Sequence, residues 1–155
     1  MFVTGARHRL YAEARDSKSD GLHYRKPVTQ MNDPAHLKPK HADQRVVLLA
    51  EDEVVVRNIV QIALEEAGYF VLAAGDGQEA LSVSRVFSGT IHLLLSDFTM
   101  PKMNGLELTQ RVLAERPNTP VLLMSGHPPL QSQIPVLPKP FTADVLLMRV
   151  LELIQ

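Results

Sequence analysis

Five short apolar runs divide the chain from residue 46 onward, at residues 46–50, 69–74, 91–95, 121–124 and 134–137. Each is nearly continuous and stops at acids, small residues or turn formers, the pattern of strands buried on both faces of a parallel sheet. Between the runs, apolar residues recur at helical spacing. Val55, Ile59, Val60, Ala63, Leu64 and Ala67 mark a first helix stopped by Gly68. Asp76 and Glu79 fit a capping box at the head of a second, which runs to about Phe87 with Gly89 closing it. A third spans residues 106–115 and ends before Pro117. The last is capped by Thr142 or Asp144 and runs to Ile154, with Val145, Leu146, Met148, Leu151 and Leu153 as its apolar positions. Strands alternating with helices at this interval predict right-handed βαβ units. The expected fold is therefore a doubly wound α/β fold, a five-stranded parallel sheet in the order 2-1-3-4-5 with helices on both faces.

The rhythm fails in one place. Only 13 residues, 126–138, separate the fourth run from Lys139, and Pro128, Pro129, Pro135 and Pro138 stand among them. A parallel crossover takes about a dozen residues or more, usually with a helix, and part of this segment is itself the fifth strand. The helix joining strands four and five, fourth in such a sheet, is expected to be reduced or absent. A fifth strand bearing proline fits a sheet edge. Residues 1–44 have another texture, with 8 Lys+Arg, 5 Asp+Glu, 4 of the 6 histidines and no apolar periodicity. Such a segment buries too little to offset its ordering entropy, so a disordered tail over 1–44 and a folded domain over 45–155 are expected. Met31 offers a second start within that tail.

Composition changes this picture little. An apolar fraction of 45%, a charged fraction of 21% and a net charge of −1 are ordinary, and point to no direct nucleic-acid binding. The absence of cysteine removes disulfides, thiolate metal sites and cysteine nucleophiles. No apolar run approaches the roughly 20 residues of a membrane span, and the first residues lack a hydrophobic signal region. No membrane association and a cytoplasmic location are expected.

Chemistry collects just past the strands. The first run is followed by Glu51 and Asp52, the third by Asp97, the fourth by Ser125 and the fifth by Lys139. In a parallel sheet these ends share one edge, where ligands bind. Clustered carboxylates repel unless a cation sits among them, and an all-oxygen donor set suits Mg²⁺. A carboxylate beside such an ion can attack phosphorus, with a lysine and a hydroxyl stabilising the phosphoryl oxygens.

VVLLAEDE, LLLSDFTMPKMNGLEL, VLLMSG and LPKPF, in this order and spacing, resemble the receiver domain of two-component response regulators. The resemblance covers about residues 45–155 and implies a flavodoxin-like fold. It implies that Asp97 accepts a phosphoryl group from a sensor histidine kinase or histidine phosphotransfer protein, in a Mg²⁺-dependent reaction. Glu51 and Asp52 match the acidic pair for Mg²⁺, which Asp97 and the backbone carbonyl of Thr99 complete. Ser125 matches the hydroxyl residue that moves to the phosphoryl group, and Lys139 the conserved-type lysine, whose bond to Pro140 is cis. Thr99 and His127 stand where dephosphorylation is tuned. The implied protein is not a free-standing enzyme, but a phosphoprotein that catalyses its own phosphoryl transfer and loss.

Two departures accompany the match. Receivers usually carry Tyr or Phe three residues before the lysine, and here Val136 stands there. This change and the missing helix fall on the face that receivers commonly use to dimerise or bind targets. A stand-alone receiver is expected, signalling through loops near the site or serving as a phosphorelay or phosphate-sink partner. One alternative is a receiver kept as a protein-binding module without phosphorylation. A haloacid-dehalogenase-type phosphohydrolase also uses Asp, a hydroxyl, Lys and Mg²⁺, but needs a second Asp where Thr99 stands. A flavodoxin-like electron carrier is excluded by the acids of AEDEVVVR, which would repel an FMN phosphate.

Overall fold

The computed structural model describes residues 38–39, 41–129 and 131–154, so most of the tail expected over 1–44 lies outside the described residues. In chain order the elements are β1 (Val46–Ala50), α1 (Val54–Glu66), β2 (Phe70–Ala74), α2 (Gly77–Val86) and β3 (Leu93–Asp97). Then follow α3 (Gly105–Glu115), β4 (Val121–Ser125), β5 (Val136–Pro138) and α4 (Ala143–Leu153). All pairings are parallel and the order is β2-β1-β3-β4-β5, the doubly wound sheet that the alternation predicts.

Continuous apolar strands work here because each face of the sheet has its own helical layer. Leu48, Leu94 and Leu123 point into a core with Ala80 and Leu81 of α2 and Leu108 and Val112 of α3. Val47, Leu49, Leu95, Leu122 and Met124 point the other way, against Val60 and Leu64 of α1 and Leu146 and Val150 of α4. Each fully buried leucine contributes about 1.5–3 kcal/mol of transfer free energy, so these two layers dominate the stability of the fold.

No helix lies between β4 and β5 among the described residues. Ile134 and Val136 instead pack partly buried against the layer of α2 and α3. β5 is shorter than its apolar run and begins two residues later than expected. The carbonyl of Pro135 accepts from the N–H of Leu123 at 3.0 Å, but Pro135 has no N–H to donate. Ile134 is held in a turn by the hydroxyl of Ser132.

Helix caps follow the side chains at hand. Asp76 accepts from the N–H of Glu79 at 2.8 Å, while Glu79 reaches back to the N–H of Gly75 at 2.6 Å, one residue short of a full capping box. Asn104 caps α3 through Glu107, and Thr142, rather than Asp144, caps α4 through Val145. The buried stripes are narrower than the apolar spacing suggests. On α4 Leu146 is buried as expected, Val150, which was not among the expected positions, is buried with it, and Val145, Met148 and Leu151 are exposed. On α1 the buried positions are Arg57, Val60 and Leu64, leaving Val55 and Ile59 in solvent. No helix among the described residues is long and apolar enough to cross a membrane.

Candidate functional site at the carboxyl edge of the sheet

Register brings the strand ends together. Ala50 pairs with Ser96 and Asp97 with Met124, so Glu51, Asp97 and Ser125 leave the sheet along one edge, and Lys139 follows β5 there. Carboxylate oxygens of Glu51, Asp52 and Asp97 all lie within 4.8 Å of one another. Lys139 reaches between them, its Nζ 2.8 Å from Glu51 Oε2 and 3.3 Å from Asp97 Oδ1. The Lys139–Pro140 peptide is cis, as the resemblance implies.

Each member sits differently. Glu51 is 1% exposed, and its second oxygen accepts from the N–H of Glu53 at 3.1 Å. Burial pushes its carboxyl above the usual range, and the Asp97 charge adds to that, against the pull of Lys139. Burial works against the Lys139 charge, yet Glu51 and then Asp97 hold its ammonium above the ordinary lysine value. Asp97 is buried and Asp52 is exposed. Ser125 is buried at the end of β4, where its Oγ accepts from the N–H of His127 at 3.1 Å. Thr99 lies exposed on the loop after β3. The structure thus joins Glu51, Asp52, Asp97 and Lys139 directly, places Ser125 beside them in register, and leaves Thr99 on the rim.

Three oxygen donors around one point, next to a single ammonium, suit a hard cation with room for waters. The loop after Asp97 is fixed by contacts that spacing did not reveal. Gly105 donates to the carbonyl of Phe98 at 2.9 Å, and a Cβ on it would lie 2.2 Å from the carbonyl oxygen of Asp97. Lys102, at a φ of 67°, pairs with Asp76 at 3.2 Å and ties this loop to the head of α2. A sheet edge gathering these groups is shared by several nucleotide- and phosphate-handling folds, so comparison with known proteins decides the family.

The response regulator receiver domain model matches residues 47–150. The chain belongs to this receiver family. This receiver is 32% identical over 117 residues to the sensor kinase CckA of Brucella abortus, covering 70% of the chain and 12% of that kinase. It is 33% identical over 117 residues to the response regulator RR06 of Streptococcus pneumoniae, covering 70% of the chain and 52% of RR06. The solved receiver domain of the hybrid histidine kinase CckA matches with a TM-score of 0.64 at 36% identity, covering 71% of this chain and 99% of that one. The chemotaxis protein CheY4 of Vibrio cholerae matches with a TM-score of 0.66 at 28% identity, covering 71% of this chain and 98% of that one. The receiver thus spans about half or less of these curated relatives and nearly all of the solved domains. Receivers belong to two-component systems, with histidine kinases as their general partners, and generally bind Mg²⁺ at such an acidic pocket.

Proposed function

We propose that this receiver takes a phosphoryl group onto Asp97 from the phosphohistidine of a histidine kinase or histidine phosphotransfer protein, in a Mg²⁺-dependent reaction. The observation that carries the reading is Lys139 lying between Glu51 and Asp97, beside the Asp52 carboxylate. Glu51, Asp52 and Asp97, with the Thr99 carbonyl, would hold Mg²⁺, which when bound neutralises charge on the phosphoryl oxygens. An Asp97 carboxylate oxygen forms the new bond to phosphorus as the phosphorus–nitrogen bond breaks, and that electron pair stays on the imidazole. Lys139 exchanges a carboxylate contact for a phosphoryl oxygen. The Oγ of Ser125 already accepts from His127, so its own proton is left to donate to the transferred group. Residues 45–155 form the receiver unit in this reading, preceded by a tail over 1–44, in the cytoplasm.

Acetyl phosphate with Mg²⁺ tests the reading by intact mass. A gain of one phosphoryl group is expected in the wild type, and no gain with EDTA or in Asp97→Asn. Absence of any gain from acetyl phosphate and from phosphorylated kinase donors would overturn it. That result would favour the protein-binding module, a reading supported by Val136 and by the helix-free segment before β5.

A further inference from the structure

Arg57 is a buried charge with no part in the chemistry above. It is 9% exposed and occupies the buried stripe of α1 with Val60 and Leu64, a place for an apolar side chain. Burying a guanidinium is costly unless its donors are met. Among the described residues no carboxylate lies within ion-pair distance of it. Its Nη1 donates instead to the backbone carbonyl of Glu51 at 2.6 Å and lies 3.5 Å from that of Asp52. These are the two residues whose carboxylates turn toward Asp97.

The space for this guanidinium is shaped by the turn after β2. A Cβ on Gly75 would lie in van der Waals contact with Arg57 Nη1 at 3.4 Å and more tightly, at 3.3 Å, against Glu79 Oε2. Glu79 holds the N–H of Gly75 at 2.6 Å, fixing the wall against which the arginine rests. Three segments therefore converge on one cation whose hydrogen bonds go to the main chain of the acidic pair.

We infer that Arg57 is a positioning residue for Glu51 and Asp52, locking their peptide planes so that both carboxylates face Asp97 before any metal arrives. The peptide plane is rigid, so a clamped carbonyl sets the direction from which each side chain departs. The guanidinium presents a fixed, planar donor fork, which a flexible ammonium reproduces only in part. Arg57 touches neither phosphoryl group nor metal in this account. The inference rests on reading the acidic cluster as the Mg²⁺ site.

Calorimetric Mg²⁺ titration of the wild type, Arg57→Met, Arg57→Lys, Asp52→Asn and Val60→Ala tests it, with amide hydrogen exchange on the metal-free proteins. Arg57→Met is expected to raise the Mg²⁺ dissociation constant about 10- to 100-fold, as loss of a group that orients metal ligands does. Arg57→Lys should recover part of that loss. Val60→Ala, which weakens the same stripe, should keep wild-type affinity despite a lowered melting temperature. Without metal, exchange at the Glu53 amide, which is bonded to the Glu51 carboxylate, should accelerate in Arg57→Met beyond the rest of the sheet. Equal or tighter Mg²⁺ binding by Arg57→Met, or an equal loss in Val60→Ala, would overturn the inference. If the wild type binds no Mg²⁺, or Asp52→Asn binds it as well, the metal reading falls. Selective acceleration at Glu53 then still supports the positioning role, and its absence overturns that too.

Discussion

Gly105 carries the tightest steric limit in the site. With the Asp97 carbonyl oxygen 2.2 Å from where a Cβ would be, even alanine must push backbone against backbone. Gly105→Ala should destabilise the fold by about 1–3 kcal/mol, the usual cost of overpacking. It should also slow the proposed labelling of Asp97 by acetyl phosphate, because the strain falls on the Asp97 peptide itself. Chemical denaturation and intact mass after timed incubation check the two effects separately. In the sequence this glycine reads only as a turn former after Asp97. The strand ends were legible because an apolar run that stops at an acid is a local signal. The collision partner of Gly105 was not, because it depends on how the loop folds back. Arg57 was hidden for a related reason: periodicity assigns buried stripes to apolar residues, and nothing local says that two carbonyls will receive a guanidinium. Its place three residues before Val60 and seven before Leu64 was the available signal.

At the scale of elements, α4 divides its apolar residues between core and solvent. Leu146 fills the layer over β1 and β3, whereas Met148 is 54% and Leu151 68% exposed. Leu146→Ala should cost about 2–5 kcal/mol by opening a cavity. Met148→Ser and Leu151→Ser should stay within about 0.5 kcal/mol of the wild type. Urea midpoints across the three variants decide whether the stripe is as narrow as the burial indicates. The expected apolar positions of α4 included Leu146 but missed Val150, because eight of its eleven residues are apolar and spacing alone cannot choose a face among them. A second element-scale device is Arg116, at the end of α3. It donates to the carbonyls of Ser84 and Gly89 at 2.8 Å and also to that of Phe87, closing the C-terminus of α2. Charged donors that satisfy such orphan carbonyls are worth more than neutral ones. Arg116→Ala should lower stability by about 2–3 kcal/mol and speed amide exchange around residues 84–90 first.

Over the whole molecule, the sheet order was legible from alternation and the right-handed crossover rule, and the structure bears it out. Its opposite edge holds a group that no motif or spacing singles out. His92 Nδ1 accepts from the N–H of Val46 at 3.0 Å, which joins the entries of β1 and β3 and requires a neutral ring. Burial, and then the nearby Arg45 charge, lower its pKa below the usual histidine value of 6.5. The unfolded chain therefore takes up this proton first as pH falls. The His92 contribution is fully present above the unfolded pKa and is lost as pH drops through the lowered folded pKa. His92→Asn keeps an acceptor but cannot titrate. Melting curves at about pH 7.5 and about pH 5.5 should show a larger acid-induced loss of stability in the wild type than in His92→Asn. Equal losses would place the acid sensitivity elsewhere.

The contact between Lys139 and Glu51 spans 88 positions of the chain. Its partners follow the first and the last strands in the chain, β1 and β5, and Asp97 ends β3, one of the two strands lying between them in the sheet. No fragment lacking β5 and the residue after it holds all three groups, so their meeting is a property of the finished fold. Parallel pairing of distant segments is the slow part of assembling such a topology. A chain emerging from the ribosome therefore lacks the ammonium between Glu51 and Asp97 until its final strand docks. The carboxyl edge thus carries a record of completion, since its three groups meet only where the whole sheet has been laid down.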